Sequence, residues 1–332
     1  MKAYFFGAGS SSGTLADWPE PPPISAKFGA ALIERIPQWK VEYPGLAEVA
    51  THLGGQLEDL SLEEIWTSID YWAKLGPVLP WQPQWNPRAT WDLKRLLLRF
   101  YGSSCGQVAS TLERSDVYTL GALFANEIQP GDVLVSFNYD TIVERLANTF
   151  GRVLRSPCQK PIAESLTLAK PHGSASWRMD WQSRRVVWTE PDGSVATVAM
   201  EETDVGPDQE PLVLGAVPIK SELVREVQMA YFPDVWDVVT AQWRTAVRAV
   251  RDATALVFVG YGFPPEDQYG SFLFRQAMRM RSTGAPAIEF YELSDREECT
   301  KAAIRKALGN HELGPVPKGR VTSAPPPEGS TG

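Results

Sequence analysis

The chain has 332 residues, 43% hydrophobic and 22% charged, with a formal charge of −8 and a pI of about 5.1. This is the composition of a soluble globular protein with room for one large domain or two ordinary ones. The acidic balance and the lack of a Lys/Arg block speak against a nucleic-acid partner. Cys105, Cys158 and Cys299 form no C-x-x-C pair, which speaks against a disulfide framework or a structural zinc site and fits a reducing cytoplasm.

The first element expected is a short buried strand, 2-KAYFF-6, running into Gly7-Ala8-Gly9-Ser10-Ser11-Ser12-Gly13. Lys2 before an apolar stretch has the look of a secretion signal. The apolar part, Ala3 to Ala8, is too short for one, and Ser10 to Ser12 end it. No later apolar run approaches the ~18 residues of a membrane helix. Residues 16–120 have another texture, with proline-rich turns (19-PEPPP-23 and 76-GPVLPWQPQWNP-87) between patches of helical period. Helices are expected at 45-GLAEVATHLGG-55, 61-SLEEIWTSIDYWAKLG-76 and 89-ATWDLKRLLLRFYG-102. Ser61 and Glu64 form a capping box, and Gly76 is a stop signal. Trp91, Leu93, Leu96, Leu97 and Phe100 make one wide apolar face in the third. Trp18, Trp39, Trp66, Trp72, Trp81, Trp85 and Trp91 crowd into this section. Packing between helices explains them more simply than a stacking surface for sugars or bases.

After residue 120 strands and helices alternate. The run 132-DVLVSFN-138 follows the turn Pro130-Gly131 and reads as a buried strand; 141-TIVERLANTFG-151 reads as a helix. Next come a strand-like 166-LTLAKPHG-173, a hairpin of 177-WRMDW-181 with 185-RVVW-188, and an apolar 212-LVLGAVP-218. A long amphipathic helix (234–253), a buried strand in 254-TALVFVGYGFP-264, a helix (270–282), the strand 287-AIEFYEL-293 and a helix (295–308) complete the series. The Pro/Gly/Ser-rich end, 313–332, is expected to be disordered. The pattern predicts an α/β fold, a Rossmann-like open parallel sheet with helices on both faces and a helical insertion after the first strand. Its expected organisation is a Rossmann domain of 1–15 with 121–312, an insertion at 16–120, and the tail.

In such folds ligands bind beyond the carboxyl ends of the strands. Four loops there carry the chemistry. In the first, Gly7 and Gly9 let the backbone turn tightly and approach a phosphate, with amides aimed at the anion. As a dinucleotide fingerprint it is imperfect, because Ser12 stands where G-x-G-x-x-G needs glycine, and no strand-borne acid follows about twenty residues on. The P-loop pattern G-x-x-x-x-G-K-[ST] is absent. The second, 136-SFNYDT-141, ends a buried strand with Asn138 and Asp140; an Asx turn is the plain alternative. The third, 170-KPHGS-174, presents His172, while His52 and His311 sit at surface positions. The fourth, 260-GYGFPPED-267, is a glycine loop closing with Glu266 and Asp267.

Taken together and in this order, GAGSS, FNYD, KPHGS and GYGFPPED resemble the sirtuin-like domain of bacterial NAD-consuming anti-phage defence proteins. The resemblance spans about residues 2–310, including 212-LVLGAVPIK-220; within 16–120 it is one of position and helical character only. It implies that Gly7, Ala8, Gly9, Ser10 and Ser11 cradle the NAD+ phosphates. Asn138 would hold a water or the ribose beside the nicotinamide, supported by Asp140. His172 would contact the ribose hydroxyls and act as the base, and Gly260, Tyr261, Gly262 and Asp267 would border the adenosine half. The zinc-binding cysteines of the superfamily's protein deacetylases are missing, as is the Pro-Asp-Phe-Arg stretch after their glycine loop. Both departures weaken protein deacylation.

The implied activity is NAD+ hydrolysis to nicotinamide and ADP-ribose, with NAD+ as substrate and no metal, by a defence effector of abortive infection. The pyridinium leaves as neutral nicotinamide, so no general acid is required. An oxocarbenium-like transition state needs a held ribose, electrostatic support and a placed water, which an Asn and a His supply. Rival expectations are a non-catalytic NAD or ADP-ribose sensor, a sirtuin-type deacylase and, more remotely, a dehydrogenase. An unregulated NAD+ hydrolase would harm its host, which implies control by homo-oligomerisation, by the insertion acting as a lid, or by a separate regulatory partner.

Overall fold

The computed structural model describes residues 1–14, 23, 25–54, 57–75, 87–102, 118–160, 162–187, 202–206, 209–213, 233–263, 267–292, 297–309 and 316–320. Seven parallel strands form the main sheet. They are β1 (Lys2–Phe6), β2 (Val133–Ser136), β3 (Leu154–Arg155), β4 (Leu166–Ala169), β8 (Ala255–Val259), β9 (Ala287–Glu292) and β10 (Val316–Arg320). Their order is β10-β9-β8-β1-β2-β4-β3. β1 pairs in register with both neighbours, Phe5 lying opposite Val135 on one side and Phe258 on the other. From β1 the chain crosses to β2, goes out to the edge strand β3 and comes back to insert β4 between them, then returns to build β8, β9 and β10 on the other side. The strand order therefore reverses between β1 and β8, and the crevice above their carboxyl ends is where a doubly wound sheet takes its ligand.

Alternation within β1 explains the layers. Ala3 and Phe5 face one core with Trp243, Ala246 and Val250 of α9 (Pro233–Asp252), Phe274 of α10 (Gln268–Arg279) and Ile304 of α11 (Glu297–Leu308). Tyr4 and Phe6 face the other, with Leu123 and Phe124 of α7 (Tyr118–Asn126) and Ile142 and Leu146 of α8 (Ile142–Thr149). Side chains of successive strand residues point to opposite faces, so a run apolar at every position is the signature of a strand covered on both sides. The open parallel sheet with helices on both faces is thus the observed architecture.

Among the described residues between β1 and α7 the regular elements are helices. The elements are α1 (Ala8–Thr14), α2 (Phe28–Arg35), α3 (Trp39–Glu42), α4 (Pro44–His52), α5 (Leu62–Leu75) and α6 (Pro87–Leu97), the last continued by a π-helical turn over Leu98–Gly102. α4 begins with Pro44 at its first position, where its missing N–H costs nothing. The capping box at the start of α5 is formed: the Glu64 N–H donates to Ser61 Oγ at 3.2 Å, and the Ser61 N–H to Glu64 Oε2 at 2.8 Å. Phe28, Leu32, Trp39, Tyr43, Leu46, Leu93, Leu96 and Phe100 bury against one another in a core of their own. Trp39 is interior and Trp66 packs at the margin of that core, so for these two the packing role holds. Trp18, Trp81 and Trp85 and the stop at Gly76 lie outside the described residues.

Three features differ from expectation. The hairpin of β5 (Gly173–Asp180) and β6 (Arg185–Val187) gains a third partner, β7 (Gln209–Val213), making a separate antiparallel sheet in the order β6-β5-β7. β5 begins at Gly173, so Gly173 and Ser174 belong to a strand and not to a loop. Gly173 has φ +81°, and a Cβ there would lie 2.1 Å from the Leu212 carbonyl oxygen; only glycine joins β4 to β5 this closely. Third, within 313–332, expected to be disordered, Val316–Arg320 pairs in parallel with β9. Pro317 is tolerated because this is the edge of the sheet, and the register shifts beside it. Composition alone hides such an edge strand.

Candidate functional site

The four loops meet at the carboxyl ends of β1, β2, β4 and β8. The first and the fourth pack backbone on backbone. The Gly7 N–H donates to the Val259 carbonyl and the Gly9 N–H to the Gly260 carbonyl, each at 3.0 Å. A Cβ on Gly7 would sit 2.5 Å from the Gly260 oxygen, and one on Gly260, where φ is +56°, would sit 2.2 Å from the Ser10 nitrogen. Both glycines are therefore dictated by the approach of the loops to each other. Ala8 lies exposed at the start of α1, and Gly9 is half-buried. Ser10 is buried, its hydroxyl donating back to the Gly7 carbonyl at 2.7 Å.

Asn138 and Asp140 close on this loop from β2. Asn138 Nδ2 donates to the Gly7 carbonyl (2.9 Å), Ser10 Oγ (3.2 Å) and Ser11 Oγ (2.7 Å). The Ser11 hydroxyl donates to Asp140 Oδ2 at 2.5 Å. Asp140 Oδ1 accepts from the Ile142 N–H at 3.0 Å and so anchors the start of α8. The Asx turn weighed for this loop is present, and the same carboxylate also holds the glycine loop. Residues 9-GSSSG-13 have the G-x-S-x-G spacing of a nucleophile elbow. However, Ser11 lies inside α1, not at the turn that ends β1, and its hydroxyl meets a carboxylate where a serine hydrolase needs an imidazole.

His172 is 4% exposed. Its Nε2 lies 3.6 Å from Asp267 Oδ2. Its ring packs edge-on against Phe137, with centroids 5.2 Å apart, and beside Trp243 at 5.8 Å. Asp267 is also buried. It caps α10 by accepting from the Gly270 N–H at 3.1 Å, and it accepts from the Tyr261 hydroxyl at 3.0 Å. Burial above all, and Asp267 second, push the Tyr261 phenol well above its usual range, so it stays a neutral donor. The Tyr261 ring stacks on Phe137 at 4.4 Å. Gly262 is exposed, and residues 264–266 lie outside the described ones.

The structure therefore brings together Gly7, Gly9, Ser10, Ser11, Asn138, Asp140, His172, Gly260, Tyr261 and Asp267. Contacts run unbroken from Asn138 through Gly7 and Tyr261 to Asp267 and His172. Only Ala8 and Gly262 stand at its exposed margin.

Other residues of the site were not singled out from sequence. Lys170 is fully buried. Its Nζ donates to Glu144 Oε1 at 2.8 Å and also to the Asp140 carbonyl, while its N–H donates to Gln242 Oε1 at 3.1 Å. Burial pushes the Glu144 carboxyl upward, with Lys170 pulling it the other way. Lys170 thus pins the 138–140 turn to the end of β4, two residues before His172. A signal existed: Gln242 and Glu144 interrupt otherwise apolar helix faces, and Lys170 directly follows a buried strand. Among the described residues no group of three or more His, Cys, Asp and Glu is arranged to hold a metal ion, and no helix is long and apolar enough to cross a membrane.

No family model matches the chain, and no curated protein matches it. Among solved structures it is similar to a Sir2 homolog in complex with NAD, at 13% identity and a TM-score of 0.37, over 96% of this chain and 84% of that one. A structure of Sir2 with an inhibitor, 2′-O-acetyl-ADP-ribose and a deacetylated p53 peptide aligns at 11% identity and a TM-score of 0.31, over 92% and 91%. Likenesses this distant carry no argument about activity. The fold assignment rests on strand order and layering: this chain is an α/β protein with a doubly wound, Rossmann-like parallel sheet.

Proposed function

We propose that the protein is an NAD+ glycohydrolase, releasing nicotinamide and ADP-ribose. The observation that carries this reading is the joint burial of Asn138 and His172 beside the crevice between β1 and β8, linked through Gly7, Tyr261 and Asp267. An amide and an imidazole suit a reaction whose leaving group is already cationic, since it needs no general acid.

In this reading the bond between ribose C1′ and the pyridinium nitrogen breaks. Its electron pair stays on the nitrogen and gives neutral nicotinamide. The oxocarbenium-like ribose is then attacked by water, whose oxygen bonds to C1′ and whose proton passes to His172. Asp267, 3.6 Å from His172 Nε2, stabilises the imidazolium so formed. Asn138 Nδ2 is engaged by the glycine loop, so Oδ1 is the atom left to accept from the water or a ribose hydroxyl. Asp140 supports that turn. The amides of Gly7 and Gly9 are taken by Val259 and Gly260, so phosphate contact falls to the exposed start of α1 at Ala8, with Gly9 allowing close approach and Ser10 and Ser11 beneath it. Gly260 and Gly262 border the adenosine half, while Tyr261 and Asp267, which the resemblance assigns to that half, stand beside His172. Residues 1–15 with 121–312 make up the NAD+ domain, and 16–120 its helical insertion. As an effector of anti-phage defence in the cytoplasm, it would be restrained by self-assembly or a regulatory partner.

The test is chromatographic. The pure protein is incubated with NAD+, alone and with an acylated peptide. Stoichiometric nicotinamide and ADP-ribose without peptide support the hydrolase. Turnover only with peptide, yielding acyl-ADP-ribose, establishes a deacylase. Tight ADP-ribose binding with no turnover in either arm establishes a sensor.

A further inference from the structure

Tyr139 stands between Asn138 and Asp140 and belongs to a different layer. Those two side chains turn toward the glycine loop. The Tyr139 ring is 7% exposed and packs within the helical core that also holds Phe28, Trp39, Leu96 and Phe100. It meets Tyr101 edge-on, with centroids 5.8 Å apart and planes at 63°. Tyr101 in turn donates its hydroxyl to the Pro23 carbonyl at 2.8 Å, just before α2. The Tyr139 carbonyl meanwhile accepts from the Ala175 N–H at 2.8 Å and from Ser174 Oγ at 3.4 Å, within the strand that follows His172. Burial raises the phenol well above its ordinary range, and Glu63 of α5 and Asp267 of the site both add to the rise.

We propose that Tyr139 is a positioning residue through which the helical core sets the geometry of the site. Its ring is fixed by the helices and its carbonyl by β5, so a shift of the helices is passed to Asn138 and Asp140, and through them to the glycine loop. Any movement that withdraws Tyr101 loosens the 138–140 turn without touching a single site residue. This makes the helical core the place where a regulator acts. The consequence for turnover rests on the hydrolase reading; the mechanical coupling does not.

The experiment compares amide exchange over residues 136–142 and 7–11 in the full chain and in the variants Tyr139→Phe, Tyr139→Ala and Tyr101→Leu. Exchange over both segments is expected to speed up by about tenfold in Tyr139→Ala and Tyr101→Leu, with β8 and β9 unchanged, and to stay near wild type in Tyr139→Phe. NAD+ turnover should follow: kcat falls by about tenfold in Tyr139→Ala while KM moves less than about threefold, and Tyr139→Phe restores it. If Tyr139→Ala does not fold, Tyr101→Leu decides alone, since it keeps an apolar group in the core. Unchanged exchange over 136–142 in a folded Tyr101→Leu overturns the coupling. If the wild type hydrolyses no NAD+, the hydrolase reading fails while the exchange result still decides the coupling.

Discussion

At the carboxyl edge of the sheet, loops are joined by buried hydrogen bonds. The three contacts of the Asn138 amide, the Ser11 hydroxyl on Asp140, the bonds of Lys170 and the Gly9 N–H on the Gly260 carbonyl tie the loops together. The helical layer is built the other way. Its interior is mostly apolar, with a few buried ties such as the Gly45 N–H to Asp92 at 2.6 Å, and its ion pairs gather at the rim, where Arg99 meets Glu42 at 2.6 Å and Arg95 meets Glu202 at 2.9 Å, both arginines partly exposed. One pair there, Lys94 with Glu210 of β7, is buried. The difference teaches where precision is stored. Directional bonds in a dry site fix atoms in place, whereas apolar packing fixes volume and tolerates movement. A layer of the second kind resting on a site of the first kind is suited to control it.

Substitutions sharpen that contrast. The largest loss of stability is expected at Lys170. Removing one partner of a fully buried pair costs about 3–5 kcal/mol, and Lys170→Met should lower the melting temperature accordingly. Adding Glu144→Leu should recover much of it. If Lys170→Met alone is neutral, the buried pair is not what holds the turn. Next comes Gly260→Ala, which places a Cβ against the Ser10 nitrogen at positive φ; about 1–3 kcal/mol of strain is expected, with NAD+ affinity lowered as well, read by melting and calorimetry. Third is an alkaline effect on the helical layer. Burial, chiefly, pushes the Tyr43 phenol up to about 12. Its folded value lies above its unfolded one, so its contribution is complete below pH 10 and is lost as pH rises from 10 to about 12. Tyr43→Phe should flatten that loss by about 1–2 kcal/mol in denaturant titrations at those pH values. The smallest effect belongs to the rim: Arg99→Ala should cost less than about 1 kcal/mol, and a larger loss would show that the helical layer depends on directional ties after all.

Much of this was legible in the sequence. The central strands covered on both faces announce themselves as nearly unbroken apolar runs, as in 3-AYFF-6 and 255-ALVFV-259. The capping box at Ser61 and Glu64 is a local device that needs no tertiary context, so it read correctly. The meeting of four loops was legible as four motifs, because backbone geometry at a strand end demands glycines and small polar residues that stand out. What stayed hidden depended on partners distant in sequence. β7 is invisible without β5, since a single short strand has no identity apart from its neighbour. Lys170 is marked by its place after a buried strand, but its partners Glu144 and Asp140 stay hidden until the fold brings them to it. Tyr139 reads as one apolar residue in a turn, and only the helical core gives its ring a destination. Gly7 and Gly9 were read for a phosphate, but their amides are held by Val259 and Gly260. Sequence can mark a close approach without saying what approaches.

The most direct test of the account is the rate of nicotinamide release from NAD+ by the wild type and by Asn138→Ala and His172→Ala, each first verified as folded by its thermal transition. The account predicts release by the wild type and a fall of about 10²–10³-fold in both variants. Wild-type rates in both variants would contradict it.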